Sequence, residues 1–208
     1  PPLPVSRLPE PFKIIDRLRS AGARGSGNDL LHACGVHVNP EVTSLAPKDI
    51  ARTIAAYGLL STWLRTQITI DLPRWLMRYA APFPASYVDL VTGQNYGPDE
   101  TCLIDDYLAF NSTRNRELDM LPLFVWMDGD RVRRAINDPL VKARPTYHWR
   151  LPNAAFSRPE WSLSLEWHRW RLVEQLARDD VAYDDLASLY RENRARVFED
   201  DWASIVSD

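Results

Sequence analysis

Glycine, cysteine and methionine are scarce in this chain of 208 residues, with 8 Gly, 2 Cys and 3 Met. The cysteines, Cys34 and Cys102, stand far apart and without metal-ligand spacing, so a reduced chain and a cytoplasmic location are expected. Gly22, Gly25, Gly27 and Asn28 cluster in one loop, but not at the spacing of a P-loop or a dinucleotide fingerprint. No run of about 18 apolar residues occurs, so no membrane span is expected. Charge of one sign is also missing. Twenty-five Lys and Arg face 28 Asp and Glu, a net charge of -3, and the arginine clusters sit among acidic residues. That gives no electrostatic case for nucleic acid or an anionic membrane. The N-terminus has no apolar core of a signal peptide. No Ser-His-Asp, Cys-His or paired-carboxylate constellation stands out by spacing, so an ordinary hydrolase is not indicated.

What is present is an ordinary globular balance, 45% hydrophobic and 25% charged residues, with proline as the main punctuation. Residues 1–29 read as a Pro/Gly-rich leader, extended to residue 11, with one short helix over Phe12–Ala21. Residues 30–208 read as one domain. Leu30–Asn39 is a predicted strand that Pro40 ends. A long helix follows from Pro47 to Thr66, with Pro47 in its first turn and Ile50, Ile54, Tyr57, Leu60 and Trp63 along one stripe. Further helices are predicted from Asp71 to Ala80, over Ala85–Val91, from the Asp99 cap to Phe110, and over Asp130–Asn137. The last two run from Ser157 or Arg158 to Ala177, with a stripe of Trp161, Leu165, Trp167 or His168, Leu172 and Leu176, and from Tyr183 to Phe198, before an acidic tail. Few strands among long helices, without βαβ alternation, indicate an α+β fold: an antiparallel sheet flanked by long helices.

Two strand-like stretches carry chemistry. In Arg144–Asn153, Thr146, His148 and Arg150 alternate with Tyr147, Trp149 and Leu151, so one face is polar and the other apolar. Gly35-Val36-His37-Val38-Asn39 follows the same pattern, with His37 and Asn39 on one face. Side by side, the two would build a polar floor over an apolar layer. His37 and Asn39 suit a metal ion or a phosphate oxygen; equally, they suit a plain polar edge. Thr113-Arg114-Asn115-Arg116 suits phosphate or carboxylate recognition, or a solvated loop pairing with Asp105, Asp106 or Glu117. Arg144, His148 and Arg150 suit a ligand or an exposed sheet face. Around Glu166 and His168, the aromatics Trp161, Trp167 and Trp170 read as core or helix-packing residues, with an aromatic nucleotide shelf as the alternative. His32 and Cys34 read as structural.

Taken in order, these motifs resemble the amidoligases, carboxylate–amine ligases of the glutamine synthetase and glutamate–cysteine ligase superfamily. Gly35–Asn39 is similar to that group's Gly-x-His-x-His/Asn strand, Thr113–Arg116 to its arginine-bearing phosphate loop, and Arg144 to Arg150 to its Arg-x-Glu-x-Arg strand. The resemblance spans roughly residues 30–178. It implies part of a glutamine synthetase-like catalytic domain that forms an amide, or peptide-like, bond with ATP through an acyl phosphate. The implied cofactors are ATP and Mg2+ or Mn2+, and the implied partners are small amino and carboxylate substrates or a peptide. By position, His37 and His148 match metal ligands. Asn39, Arg114 and Arg116 match residues that meet phosphates, Arg114 and Arg150 match catalytic arginines, and Arg144 and Arg150 match holders of the substrate carboxylate.

Two departures from the pattern stand out. His148 occupies the place of the family's metal-binding Glu, which removes a negative charge and shifts preference toward softer ions. The Glu-x-Glu strand expected upstream of residue 30 has no counterpart, and Glu41 and Asp119 are the nearest carboxylates by motif position. An N-terminally truncated fold, or a site completed by a second chain, is the corresponding expectation. A non-catalytic ligase-like module that binds an anionic ligand or a partner protein is the alternative.

Overall fold

The computed structural model describes residues 3–7, 9–23, 25, 35–68, 80–196 and 200–207. The predicted strand segment 30–34, with His32 and Cys34, the helix predicted from Asp71, and Phe198 lie outside the described residues.

Helix α1, Pro9–Ser20, begins earlier than the sequence indicated. Its prolines fall in the first turn, where an absent N–H breaks no helical bond. Arg19 ties it to the body: its guanidinium stacks 5.6 Å from the Trp161 ring centre and donates to the carbonyls of Phe156 and Trp161.

Helix α2, Pro47–Gln67, forms the axis of the core, with Ile50, Ile54, Tyr57, Leu59 and Leu64 buried. Helices α3, Ala85–Val91, and α4, Glu100–Phe110, pack near it. Gly58 permits the α2–α3 approach, since a Cβ there would lie only 3.2 Å from Val88 Cγ1. Asp99 caps α4 as expected, accepting from the Cys102 N–H at 2.8 Å. Edge-to-face contacts join Phe83 to Tyr87 at 5.2 Å and Tyr87 to Tyr107 at 5.8 Å between ring centres.

The sheet is small and antiparallel. Strand β1, Leu118–Asp119, was not visible in the sequence; it leads into α5, Leu121–Met127, and α6, Gly129–Ala135. Strand β2 is His148–Trp149, with Leu118 opposite Trp149 and Asp119 opposite His148. On its other side β2 and its flanks meet the N-terminal extended segment through bridges Gly35 to Asn153, Val38 to Trp149 and Glu41 to Thr146. Pairing therefore runs past Pro40. That proline lacks an N–H, but its carbonyl accepts from Tyr147 N at 2.9 Å, so the ladder loses nothing there.

Helix α7, Leu163–Arg178, starts later than predicted, at a Ser162 cap, because residues 157–160 form turns. Its buried face is Glu166, Trp170 and Val173, while Leu165 and Leu172 are exposed, so the expected stripe is rotated. Trp170 sets the rotation by stacking on Tyr147 and Trp149. Helix α8, Asp180–Arg194, ends before α9, Trp202–Ser207. The tail predicted to be merely acidic docks on α2, where Trp202 Nε1 donates to the Leu59 carbonyl at 2.7 Å. No helix among the described residues is long and apolar enough to cross a membrane.

Candidate functional site

Alternation along β2 separates two environments. Tyr147 and Trp149 are buried toward the helices, and Trp149 Nε1 donates to Tyr57 Oη at 3.2 Å. His148 takes the opposite face. On the neighbouring segment Val36 and Val38 are half-buried, whereas His37, Asn39 and Glu41 are exposed. The two predicted strands thus lie side by side as the sequence indicated. His148 Nε2 comes within 3.3 Å of His37 Nδ1, and the rings meet edge to face with centres 4.9 Å apart.

Asp119 completes this side of the sheet. Only 2% exposed, it sits opposite His148, with Oδ2 3.4 Å from His148 Nδ1. Its other oxygen accepts the Leu121 N–H at 3.1 Å, and the Met120 N–H donates to Tyr107 Oη at 3.1 Å. The turn from β1 into α5 is therefore held from both sides, which fixes where the carboxylate points. Burial pushes the Tyr107 phenol well above its usual range, and the Asp119 charge adds to that.

Arg150 lies 8% exposed beside this cluster and donates through Nη1 to the Arg114 carbonyl. Burial lowers its pKa, the Asp119 charge opposes that, and the Arg114 charge reinforces it. Arg150 therefore fastens the 113–116 loop to the sheet. Within that loop, Asn115 N donates to Thr113 Oγ1 at 3.2 Å. The Arg114 side chain projects outward, 41% exposed, with Nε 3.1 Å from Asp138 Oδ2. Arg116 turns the other way: its terminal nitrogens donate to the carbonyls of Pro82 at 2.6 Å and Phe110 at 3.0 Å. Arg144 is exposed, away from this cluster along the chain, and its N–H donates to the Pro122 carbonyl.

Beneath the sheet, Glu117 is fully buried and faces α2. Arg65 donates to its Oε2 at 2.8 Å and Ser61 to its Oε1, while its own carbonyl accepts the Arg150 N–H at 2.7 Å. A bend at Glu117 lets it and the buried Leu118 escape strict alternation. Sequence reasoning assigned no role in the site to Glu117 and named Asp119 only as a nearest carboxylate. Their placement follows from a pairing register that no local pattern announces.

The sequence model of a family described as "Putative amidoligase enzyme" matches residues 1–172. The chain belongs to this amidoligase family. The match takes in α1 and the whole polar face and stops inside α7. No curated protein and no solved structure matches the amidoligase. Among its described residues no three His, Cys, Asp or Glu side chains group as a metal site. The donor set tests the implied ions. Mg2+ takes oxygen ligands, and the polar face presents two imidazoles with the Asp119 carboxylate buried behind one of them. Mg2+ held by these residues does not fit. Two imidazole nitrogens 3.3 Å apart are instead the donor type of a softer ion such as Zn2+.

Proposed function

We propose that this amidoligase is an ATP-dependent carboxylate–amine ligase of the glutamine synthetase-like type. The observation that supports it is the meeting of His37, Asn39, His148 and the Arg150-anchored Arg114 loop on one face of one sheet. In the proposed reaction a substrate carboxylate oxygen attacks the γ-phosphorus of ATP and ADP leaves. The amine nitrogen then attacks the acyl carbon, the phosphate leaves, and the amine gives up a proton. Such phosphoryl transfer depends on fixed positive charge more than on a protein nucleophile. Arg114, outward and half-exposed, is the guanidinium for the transferred phosphoryl group, and Asn39 an amide for phosphate oxygens. Arg150 holds the loop and lends its charge to the substrate carboxylate. His37 and His148 would hold the divalent ion, which when bound supplies charge neutralisation at the phosphates.

A second reading is supported by Arg116 and Arg114. One guanidinium is taken up by backbone carbonyls and the other by Asp138. With His148 in place of a Glu, the same face would serve a non-catalytic module that binds a small anion.

Calorimetric titration of a non-hydrolysable ATP analogue, with Mn2+, with Mg2+ and with neither, separates the two. The ligase reading predicts Mn2+-dependent binding that His37→Ala and Arg114→Ala both weaken. Ion-independent binding of simple anions with no preference for the nucleotide would favour the module. No binding of any of these by folded protein would remove both.

A further inference from the structure

The buried carboxylate of Asp119 has no place in the reading above, because it faces His148 rather than the open side of the sheet. Its surroundings define what it does. It is 2% exposed, one oxygen is occupied by the Leu121 N–H, and the other lies 3.4 Å from His148 Nδ1. That nitrogen is itself buried and has no hydrogen-bond partner among the described residues; the Asp119 oxygen is the charged group beside it, short of hydrogen-bond geometry. A neutral imidazole carries one N–H and one lone pair, and what faces each nitrogen decides which is which. A lone pair at Nδ1 would point at a carboxylate in a medium with little water to screen it. A proton there is attracted instead. The other nitrogen, Nε2, then keeps its lone pair and directs it toward His37, 3.3 Å away on the open face.

We propose that Asp119 is a positioning residue that acts through His148: its carboxylate holds the Nδ1–H tautomer and so aims the Nε2 lone pair at the ligand side of the sheet. The role follows from the chemistry of an imidazole at position 148, set against that of a carboxylate. A Glu there would present oxygens in any protonation state that binds a cation, and would need no tautomer. An imidazole binds a cation only through an unprotonated nitrogen, so something must keep the proton on the far side. The pairing register supplies it, since Asp119 stands directly opposite His148. Asp119 is held in turn by the Leu121 amide, so the carboxylate is oriented before any ligand arrives.

The inference rests on the proposed ion site at His37 and His148, yet its first test needs no ion. Long-range nitrogen–proton correlation spectra of the uniformly nitrogen-15-labelled full chain, in alkaline buffer without metal, report the tautomer of each imidazole. The His148 signals are assigned by their loss in His148→Gln. The expected result is Nδ1–H for His148 in the wild-type chain and Nε2–H in Asp119→Asn, because the carboxamide can turn its NH2 toward Nδ1. An Nε2–H wild-type ring, or an unchanged tautomer in Asp119→Asn, overturns the proposal. Should Asp119→Asn fail to fold, the wild-type spectrum alone still decides. The second readout is calorimetric titration with Mn2+ and Zn2+, for which Asp119→Asn weakens binding by about 10- to 100-fold while circular dichroism is unchanged. Lost ion binding with the tautomer unmoved would make Asp119 a direct ligand and overturn the proposal. A tautomer switch in a wild-type protein that binds no ion would uphold the positioning role and remove the metal reading instead.

Discussion

Arg65 Nη1 donates to Glu117 Oε2 at 2.8 Å beneath the sheet, and this ion pair joins α2 to the strand that carries Asp119. Glu117 is fully buried, and burial raises its pKa above the usual 4.5 even though Arg65 and Ser61 pull it down. A carboxyl whose folded pKa is raised binds its proton more tightly when folded. Its contribution to stability is therefore present below 4.5 and is lost as pH rises from 4.5 through the folded value. Urea denaturation of the wild-type chain and of Glu117→Gln, run across that window, is expected to show the wild type losing ground to the variant as pH increases. Arg65→Met leaves the carboxylate uncompensated; because Arg65 itself is 23% exposed, the expected cost is about 3 kcal/mol or less at neutral pH.

Trp149 and Tyr57 form a second link between sheet and helix, and both are fully buried. Tyr57→Phe strands the Trp149 indole N–H and removes a hydrogen bond to Glu117, whereas Trp149→Phe leaves the Tyr57 hydroxyl bonded to Glu117 alone; the expected cost is about 1–3 kcal/mol each, the Trp variant adding a cavity term. The double variant should cost less than the sum, by about 1 kcal/mol, since the second change removes the stranded group. Strict additivity in thermal or urea unfolding would mean that the hydrogen bond contributes nothing.

Arg114 and Arg116 are two residues apart and are expected to behave as opposites. Arg116→Ala removes the donor to the exposed Pro82 carbonyl and leaves the part-buried Phe110 carbonyl without it, and should lower stability by about 1–2 kcal/mol. Arg114→Ala breaks only a half-exposed pair with Asp138 and should change stability by less than about 1 kcal/mol. Nucleotide-analogue affinity is expected to fall in the Arg114 variant at unchanged stability. A reversed pattern would assign the phosphate contact to Arg116.

Trp202 lies beyond the 172 residues matched by the family, yet it is buried against α2, and its indole donates to Leu59. Trp202→Ala is expected to cost about 3–5 kcal/mol, as for other buried tryptophans. Trp202→Phe should recover most of the packing and lack only the hydrogen bond. An unchanged unfolding midpoint in Trp202→Ala would show α9 to be an appendage.

Much of the polar face was legible in the sequence, because a strand alternates with a period of two and both stretches mix apolar and chemical residues in that period. Tyr147 and Trp149 against His148, and Val36 and Val38 against His37 and Asn39, needed no tertiary information. The same holds for α2, announced by Pro47 and its stripe, and for the Asp99 cap. What escaped depends on contacts between distant parts of the chain. Two residues of strand, Leu118 and Asp119, carry no period, and their partners, Trp149 and His148, lie far along the chain. Nothing local marks Glu166 as buried, yet Arg169 pairs with it at 2.8 Å in a buried setting. Arg114 and Arg116 are chemically alike, and only the positions of the Pro82 and Phe110 carbonyls tell them apart. At α9 a single tryptophan in an acidic tail gave no helical pattern to find.

The order of the sheet has a consequence for how the chain acquires its structure. Its middle strand, β2, comes last, after both the segment at 35–41 and β1. During synthesis those two neighbours must wait for residues 146–153 before either finds its partner, while α2, α3 and α4 can already collapse on one another. The helical layer should thus consolidate early and the sheet late, with Trp149 and Tyr57 closing the interval. Residues of β2 are accordingly expected to influence the unfolding rate more than the folding rate.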